Sequence, residues 1–344
     1  MAQDKTKDKA KRWRLWTLGG IFFLAFAGLV AQLGNLTLLK REQFVQQSEE
    51  QQYRSIPVYA PRGVIYDRNM VPLVTNQQMS SLIINYPYYK TPGVLELLAS
   101  TVKVPLADLQ KQVQARLSVS DFYTPIRVKD DISAQEYTRI IELRDQLPGV
   151  DILSVPVRLY PYKDSAAHIL GYVNQVTAED LHSLAGQGYL GGDVIGRTGI
   201  EATYEQYLRG KNGAERVAVN SRGQPVGVTQ TVDPSPGNSL VLTLDQNLQQ
   251  VAEKTLDWDM WRIRNTIIGD GPYVHAKAGA VVAMDVKTGA ILAMASHPAY
   301  DLNSFAKGIS QAEYEKLMDP ILTPEVNRPI QTAYQPGSTW KMLT

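Results

Sequence analysis

From Leu15 to Leu39 the chain carries no charged side chain. A run of that length has few fates in water. Roughly 20 apolar residues in a helix cross the ~30 Å hydrocarbon core of a bilayer, so the run is long enough to span one. Its flanks match that reading. Lys5, Lys7, Lys9, Lys11, Arg12 and Arg14 outnumber Asp4 and Asp8 before it, Trp13 and Trp16 stand where an aromatic interface belt lies, and Lys40 and Arg41 close the far end. The positive-inside rule keeps the basic side in the cytoplasm and sends the rest of the chain across. Two other fates are a buried soluble helix and a cleaved leader, for which Ala25-Phe26-Ala27 resembles a cleavage site. The uncharged stretch continues well past Ala27, which favours an uncleaved anchor. We therefore expect a cytoplasmic tail over 1–14, a single transmembrane helix over 15–39, and the bulk of the chain outside.

The remainder of the 344 residues is room for two domains. Cysteine is absent, which removes thiol nucleophiles, disulfides and Cys-based metal sites and fits an exported chain. A net charge of +1 gives no chain-wide field for nucleic acid. His168, His182, His275 and His297 are scattered without metal-ligand spacing, so neither metal nor cofactor is expected.

Local patterns predict an α+β chain. Phe44 to Tyr53 reads as a helical stalk, Ile56 to Pro61 as extended, and Val64 to Tyr66 as a strand before a turn over Asp67 to Met70. Ser81 to Tyr86 is a short strand. Leu106, Leu109, Val113 and Leu117 fall at helical spacing, and Ser133 with Glu136 and Thr177 with Asp180 look like helix starts. Asp151 to Tyr162 alternates like an edge strand. Gly186 to Gly199 is a loop, despite matching Gly-x-Gly-x-x-Gly, because no strand leads into it. A helix over Ile200 to Leu208 and strands over Arg216 to Val232 follow. Asp233 to Asn238 clusters Pro, Gly, Ser and Asn as a boundary. Beyond it come a strand (Ser239 to Leu244), a helix from Asp245 to about Arg262, and a hairpin whose arms flank Val286-Lys287-Thr288-Gly289. Trp258 and Trp261 read as core packing at the helix end.

The sharpest chemical candidate is Tyr334-Gln335-Pro336-Gly337-Ser338-Thr339-Trp340-Lys341. If Ser338 opens a helix, Lys341 stands on the same face one turn on. A serine hydroxyl becomes a nucleophile when a neighbouring base takes its proton, and a lysine serves once burial or nearby cations lower its pKa. Ser-x-x-Lys alone is common, and its ordinary reading is an N-cap serine followed by an exposed lysine. The surroundings change that.

Gly337-Ser338-Thr339-Trp340-Lys341, preceded by Asn327-Arg328-Pro329-Ile330-Gln331, resembles the active-site segment of class B penicillin-binding proteins. Four further segments in the same order resemble that family: Arg62-Gly63-Val64-Ile65-Tyr66-Asp67-Arg68-Asn69; Gly196-Arg197-Thr198-Gly199-Ile200-Glu201; Leu242-Thr243-Leu244-Asp245; and Lys287 to Met294 with Pro298 to Asn303. Phe305 to Asp319 is more similar to the elongation type than to the septal type. The resemblance implies an elongated mixed α/β pedestal of the dimerisation type over 44–232, and over 239–344 the N-terminal part of a transpeptidase domain like that of serine β-lactamases. It implies a bacterial cell-membrane protein in which Ser338 attacks the penultimate D-alanine carbonyl of a peptidoglycan stem peptide, with Lys341 as general base. The resulting acyl group passes to an amine of a neighbouring stem. Implied partners are stem peptides on lipid-linked or nascent glycan, β-lactam antibiotics that acylate the same serine, the membrane, and a membrane-embedded glycan polymerase of the elongation machinery.

The family completes its site with Ser-x-Asn and Lys-Thr-Gly motifs after the nucleophile. Lys287-Thr288-Gly289 lies before it and reads as a turn, while Asp67 and Glu201 read as braces of the fold. Losing one oxyanion donor typically costs about 10²–10³ in rate, so these residues alone are expected to be inactive. Two other readings stay open: a non-catalytic anchored scaffold that docks on a polymerase, and a serine β-lactamase or β-lactam sensor.

Overall fold

The computed structural model describes residues 16, 23–24, 26–29, 32, 34, 53–85, 88–117, 125–219, 225–268, 271–272, 276–306, 308–309, 311–333 and 341. The expected stalk over 44–53, apart from Tyr53, which begins a strand and not a helix, lies outside them, as do His275 and most of the uncharged run. Every described residue of that run is helical, and Phe23, Leu24, Phe26 and Leu29 are exposed. Among the described residues no helix is long and apolar enough to cross a membrane.

Strands β1 (Tyr53–Val58), β2 (Ile65–Tyr66) and β3 (Pro72–Ile84) open the described fold. Helices α1 (Val94–Val102) and α2 (Leu106–Leu117) follow, then β4 (Ile126–Lys129), α3 (Ala134–Glu142) and β5 (Val150–Leu159). β3 is the spine. It pairs antiparallel with β5 from Thr75↔Leu159 to Ile84↔Val150, and with β4 at its far end. The sequence marked only its last few residues, because Thr75, Asn76, Gln77 and Gln78 hide the first half behind polar side chains. Leu82, Ile83 and Ile84 are buried in succession, since helices cover this end of the sheet. α1 brings Val94, Leu98 and Val102, four residues apart on one face, and α2 brings Leu109 and Val113. α3 starts in a full capping box, with Ser133 accepting from the Glu136 amide and Glu136 accepting from the Ser133 amide.

Short elements come next: α4 (Ala167–Leu170), β6 (Val173–Gln175), α5 (Ala178–Ser183), β7 (Val194–Gly196), α6 (Gly199–Thr203) and α7 (Glu205–Leu208). β7 corrects the expectation of an unbroken loop over 186–199, for its last three residues before Arg197 pair with β6. β8 (Gly213–Val219) and β9 (Pro225–Val232) then form a three-stranded sheet in the order β1-β8-β9. Residues 1–54 and 216–229 cluster as a unit of their own, in which the Arg216 guanidinium lies over the Tyr53 ring at 4.4 Å.

The second compact unit comprises 55–215 and 230–344, so the chain on both sides of the Pro/Gly-rich stretch packs together. β10 (Leu240–Val241) pairs parallel with β2, and α8 (Gln246–Asn265) leads to β11 (Ile267–Ile268) and β12 (Gly271–Pro272). The predicted hairpin is β13 (Gly279–Met284) against β14 (Ile291–His297). α9 (Leu302–Ala306), α10 (Gln311–Leu317) and α11 (Arg328–Gln331) complete the described fold. α8 lays Ala252, Leu256 and Met260 on the hairpin, against Ala293 and Ala295. Trp258 and Trp261 are not core residues. They stand 57% and 52% exposed on the opposite side of α8, with rings stacked at 5.0 Å.

Candidate active site

The predicted nucleophile, Ser338, lies outside the described residues together with the rest of 334–340. Lys341 is described, in a helical turn, and it is exposed. The structure does define the platform from which this segment departs, because the chain is continuous in description from Gln311 to Ala333.

The platform begins at the N-terminus of α8. Asp245 caps it, accepting from the Asn247 and Leu248 amides at 3.0 and 3.1 Å. Asp67 sits behind it, buried. One of its carboxylate oxygens accepts from the Asn69 and Val71 amides at 2.7 and 2.8 Å and the other from the Gln246 amide at 3.1 Å. One carboxylate thus closes the turn after β2 and fixes the helix start, the bracing role read from sequence.

Along β14 the outer edge is closed by side chains and loop. Thr243 Oγ1 donates to the Ile291 carbonyl at 2.7 Å and the Asp245 amide to the Leu292 carbonyl at 2.8 Å. Gln249, 0% exposed, takes both peptide groups of Met294: its Oε1 accepts from the amide at 2.8 Å and its Nε2 donates to the carbonyl at 3.0 Å. A glutamine can imitate a strand neighbour in this way because it carries a donor and an acceptor side by side. At the hairpin tip Asp285 accepts from the Lys287 and Thr288 amides, and Gly289 takes φ +74°, so Lys287-Thr288-Gly289 is a turn.

The loop that leads to α11 is pinned by Arg328, whose side chain is buried. Its Nη2 donates to the Leu322 carbonyl and, at 3.0 Å, to Thr323 Oγ1, and its amide donates to Ser296 Oγ on β14 at 3.3 Å. Asn327 ends the loop: its carbonyl accepts from the Ile330 and Gln331 amides and its own amide donates to Gln331 Oε1 at 2.8 Å. Neither residue was singled out as functional from sequence. The only signal was their place in the quoted motif.

Besides the β10–β2 pairing and the Asp67 carboxylate, side chains tie this half of the compact unit to residues 160–168 of the earlier one. Asn303 takes both peptide groups of Tyr160, at 3.0 and 2.9 Å. Glu253 accepts from the Ala166 amide at 2.7 Å, and His168 meets the loop at Pro324 and Asn327. Burial, with Arg328 adding to it, pulls the His168 imidazole below its usual pKa even though the Pro324 carbonyl favours the charged form. Between the halves runs a cleft of about 370 Å³ bordered by His168, Tyr172, Tyr300, Glu325 and Gln331.

Beneath lies a buried ionic cluster. Glu201, 0% exposed, accepts from Arg62 Nη2 at 2.8 Å and from Arg158 Nε at 2.6 Å. Glu205 accepts from the same Arg62 at 2.7 Å and from the Gly196 amide at 2.9 Å. Gly196 is tied to its place, since a Cβ there would lie 2.1 Å from the Glu201 carbonyl oxygen. Arg62, Gly196 and Glu201 come from two of the quoted motifs, which meet in this cluster.

Comparison with known proteins agrees with that geometry. The family model described as the penicillin-binding protein dimerisation domain matches residues 57–242, and the model described as the penicillin-binding protein transpeptidase domain matches 279–344. Peptidoglycan D,D-transpeptidase MrdA of Escherichia coli K12 is 32% identical over 98% of this chain and 52% of its own length. A penicillin-binding protein, PBP2, of Helicobacter pylori, solved in complex with MreC, superimposes with a TM-score of 0.64 at 29% identity, covering 84% of this chain and 51% of that one. A structure described as showing coordination of polymerization and crosslinking by a peptidoglycan synthase complex gives a TM-score of 0.57 at 30% identity, over 96% of this chain and 54% of that one. The chain spans about half the length of the curated relatives it matches.

Proposed function

The chain belongs to the penicillin-binding proteins with dimerisation and transpeptidase domains, and we propose from that premise that it is part of a peptidoglycan D,D-transpeptidase of the elongation type. The observation that carries this reading is the position of Gly337-Ser338-Thr339-Trp340-Lys341. It lies within the span of the transpeptidase match, a few residues after α11 in the sequence, and α11 is itself tied to β14 through Arg328 and Ser296.

On this reading Ser338 Oγ attacks the carbonyl of the penultimate D-alanine while its proton passes to Lys341 Nζ. The tetrahedral intermediate collapses, the proton goes to the departing D-alanine nitrogen, and the serine keeps the acyl group. An amine of a second stem then attacks the ester, Ser338 recovers its proton, and a cross-link results. A helix opening at Ser338, as its spacing to Lys341 leads one to expect, would favour the negative charge that develops there. β-Lactams acylate the same oxygen. Lys341 is exposed in this chain.

The same reading places residues 15–39 across the bacterial cell membrane with the N-terminus in the cytoplasm. It pairs the protein with a membrane-embedded glycan polymerase, in keeping with relatives solved with MreC and in a synthase complex. A scaffold without catalysis and a β-lactamase or sensor are the alternatives. Release of D-alanine from a stem peptide by a protein of the relatives' length separates them. The transpeptidase reading expects release that Ser338→Ala abolishes and Lys341→Met slows by about 10²–10⁴. A scaffold releases none, and a β-lactamase instead turns over penicillin rapidly.

A further inference from the structure

We infer that His168 is a positioning residue for the acylation site: with its ring and its own carbonyl it holds the loop 324–327, and through it α11, the last described element before Ser338. The inference rests on the reading of Ser338 as nucleophile, and its structural half stands apart from it.

His168 Nε2 lies 2.6 Å from the Pro324 carbonyl, and the His168 carbonyl accepts from Asn327 Nδ2 at 3.3 Å. A carbonyl can only accept, so the ring carries its hydrogen on Nε2 and donates. One residue therefore grips two points of a four-residue stretch more than 150 positions away in sequence. The grip is itself held. The Ala166 amide, two residues earlier, is bonded to Glu253 of α8 at 2.7 Å, and the imidazole stands edge-on to the Tyr300 ring at 5.2 Å. On the far side, Asn327 is the hinge pin of α11, because its carbonyl receives the Ile330 and Gln331 amides.

Two anchors thus fix α11. One is Arg328 with Ser296, within the second half of the unit; the other is His168, from the first half. The cleft of about 370 Å³ beside the second anchor leaves room for the loop to shift when it is released. The apolar cluster shared by the two halves, with Asn303 and Glu253, keeps them together without the loop, so losing the imidazole removes one of the ties on α11 and leaves the fold intact.

The test has two arms. In the 344-residue chain, amide hydrogen exchange is compared for wild type, His168→Ala and His168→Gln, whose amide can donate in place of Nε2, with exposed His182→Ala as control. His168→Ala is expected to raise exchange of the Ile330 and Gln331 amides about tenfold, as loss of one buried hydrogen bond allows, with β14 amides at Ala293 and Ala295 unchanged. His168→Gln restores protection and His182→Ala has no effect. Unchanged exchange at 330–331, or an equal rise throughout β14 and α8, overturns the inference. In a protein of the relatives' length, His168→Ala is expected to slow penicillin acylation about tenfold without changing deacylation, with rescue by His168→Gln. Normal acylation in His168→Ala while Ser338→Ala is unlabelled overturns the positioning role. Labelling that survives Ser338→Ala instead overturns the nucleophile reading, and the exchange arm then decides whether the anchor exists. Should His168→Ala not fold, Asn327→Ala removes the second contact and is read by the same measurements.

Discussion

Glu201 meets two guanidinium groups in a site sealed from solvent, which makes it costly to change. Removing one member of a buried charge cluster leaves its partners uncompensated and typically costs about 3–5 kcal/mol. Glu201→Gln is expected to lose stability on that scale in urea denaturation, since Arg62 and Arg158 stay buried; a loss under about 1 kcal/mol would contradict this account of the cluster. A second ionic pair gives a pH signature. The Arg197 guanidinium beside Asp180, helped by the Thr177 amide, holds its carboxyl well below the usual carboxylate range. At Glu205 burial opposes ionisation, but Arg62 outweighs it and the carboxyl sits below its ordinary value. Both groups are depressed in the folded state, so their contribution is complete above the unfolded pKa of about 4 and is lost as pH falls below it. Denaturation midpoints measured from pH 7 down to 3 should fall on the acid side, and Asp180→Asn should flatten part of that slope.

Elements were legible where the signal is local. The capping boxes at Ser133 and Thr177 stand as the residues spelled them, because a cap is settled within four positions. Ser133→Ala is expected to cost about 1 kcal/mol, read as a shift in the denaturation midpoint. The hairpin around Gly289 was equally plain. What failed depended on neighbours distant in sequence. Thr75 to Gln78 of β3 carry polar side chains, and pairing with β5 makes that stretch a strand. For Trp258 and Trp261 helical spacing showed that they share a face, but not which face meets the hairpin. Gln249 and Arg328 are buried polar residues that bond backbone groups, and no residue pattern announces those partners. The motif order pointed to the site as a whole; the work of His168 at its edge emerged only from the fold.

Across the whole compact unit, the two halves share one buried apolar cluster, which includes Ile65, Tyr160, Leu170, Leu302 and Phe305, and Asn303 adds two specific bonds across it. Asn303→Ala leaves the Tyr160 amide and carbonyl without partners and should cost about 2–4 kcal/mol, read as a lowered calorimetric midpoint. That joint matters for function because it sets the platform from which the Ser338 segment leaves. The central claim is that this segment carries the acylated oxygen, and covalent mapping tests it most directly. A protein of the relatives' length is incubated with penicillin, digested, and its adduct located by mass spectrometry. The account predicts one penicilloyl group, on Ser338, absent from Ser338→Ala; an adduct on any other residue, or one that persists in that variant, contradicts it.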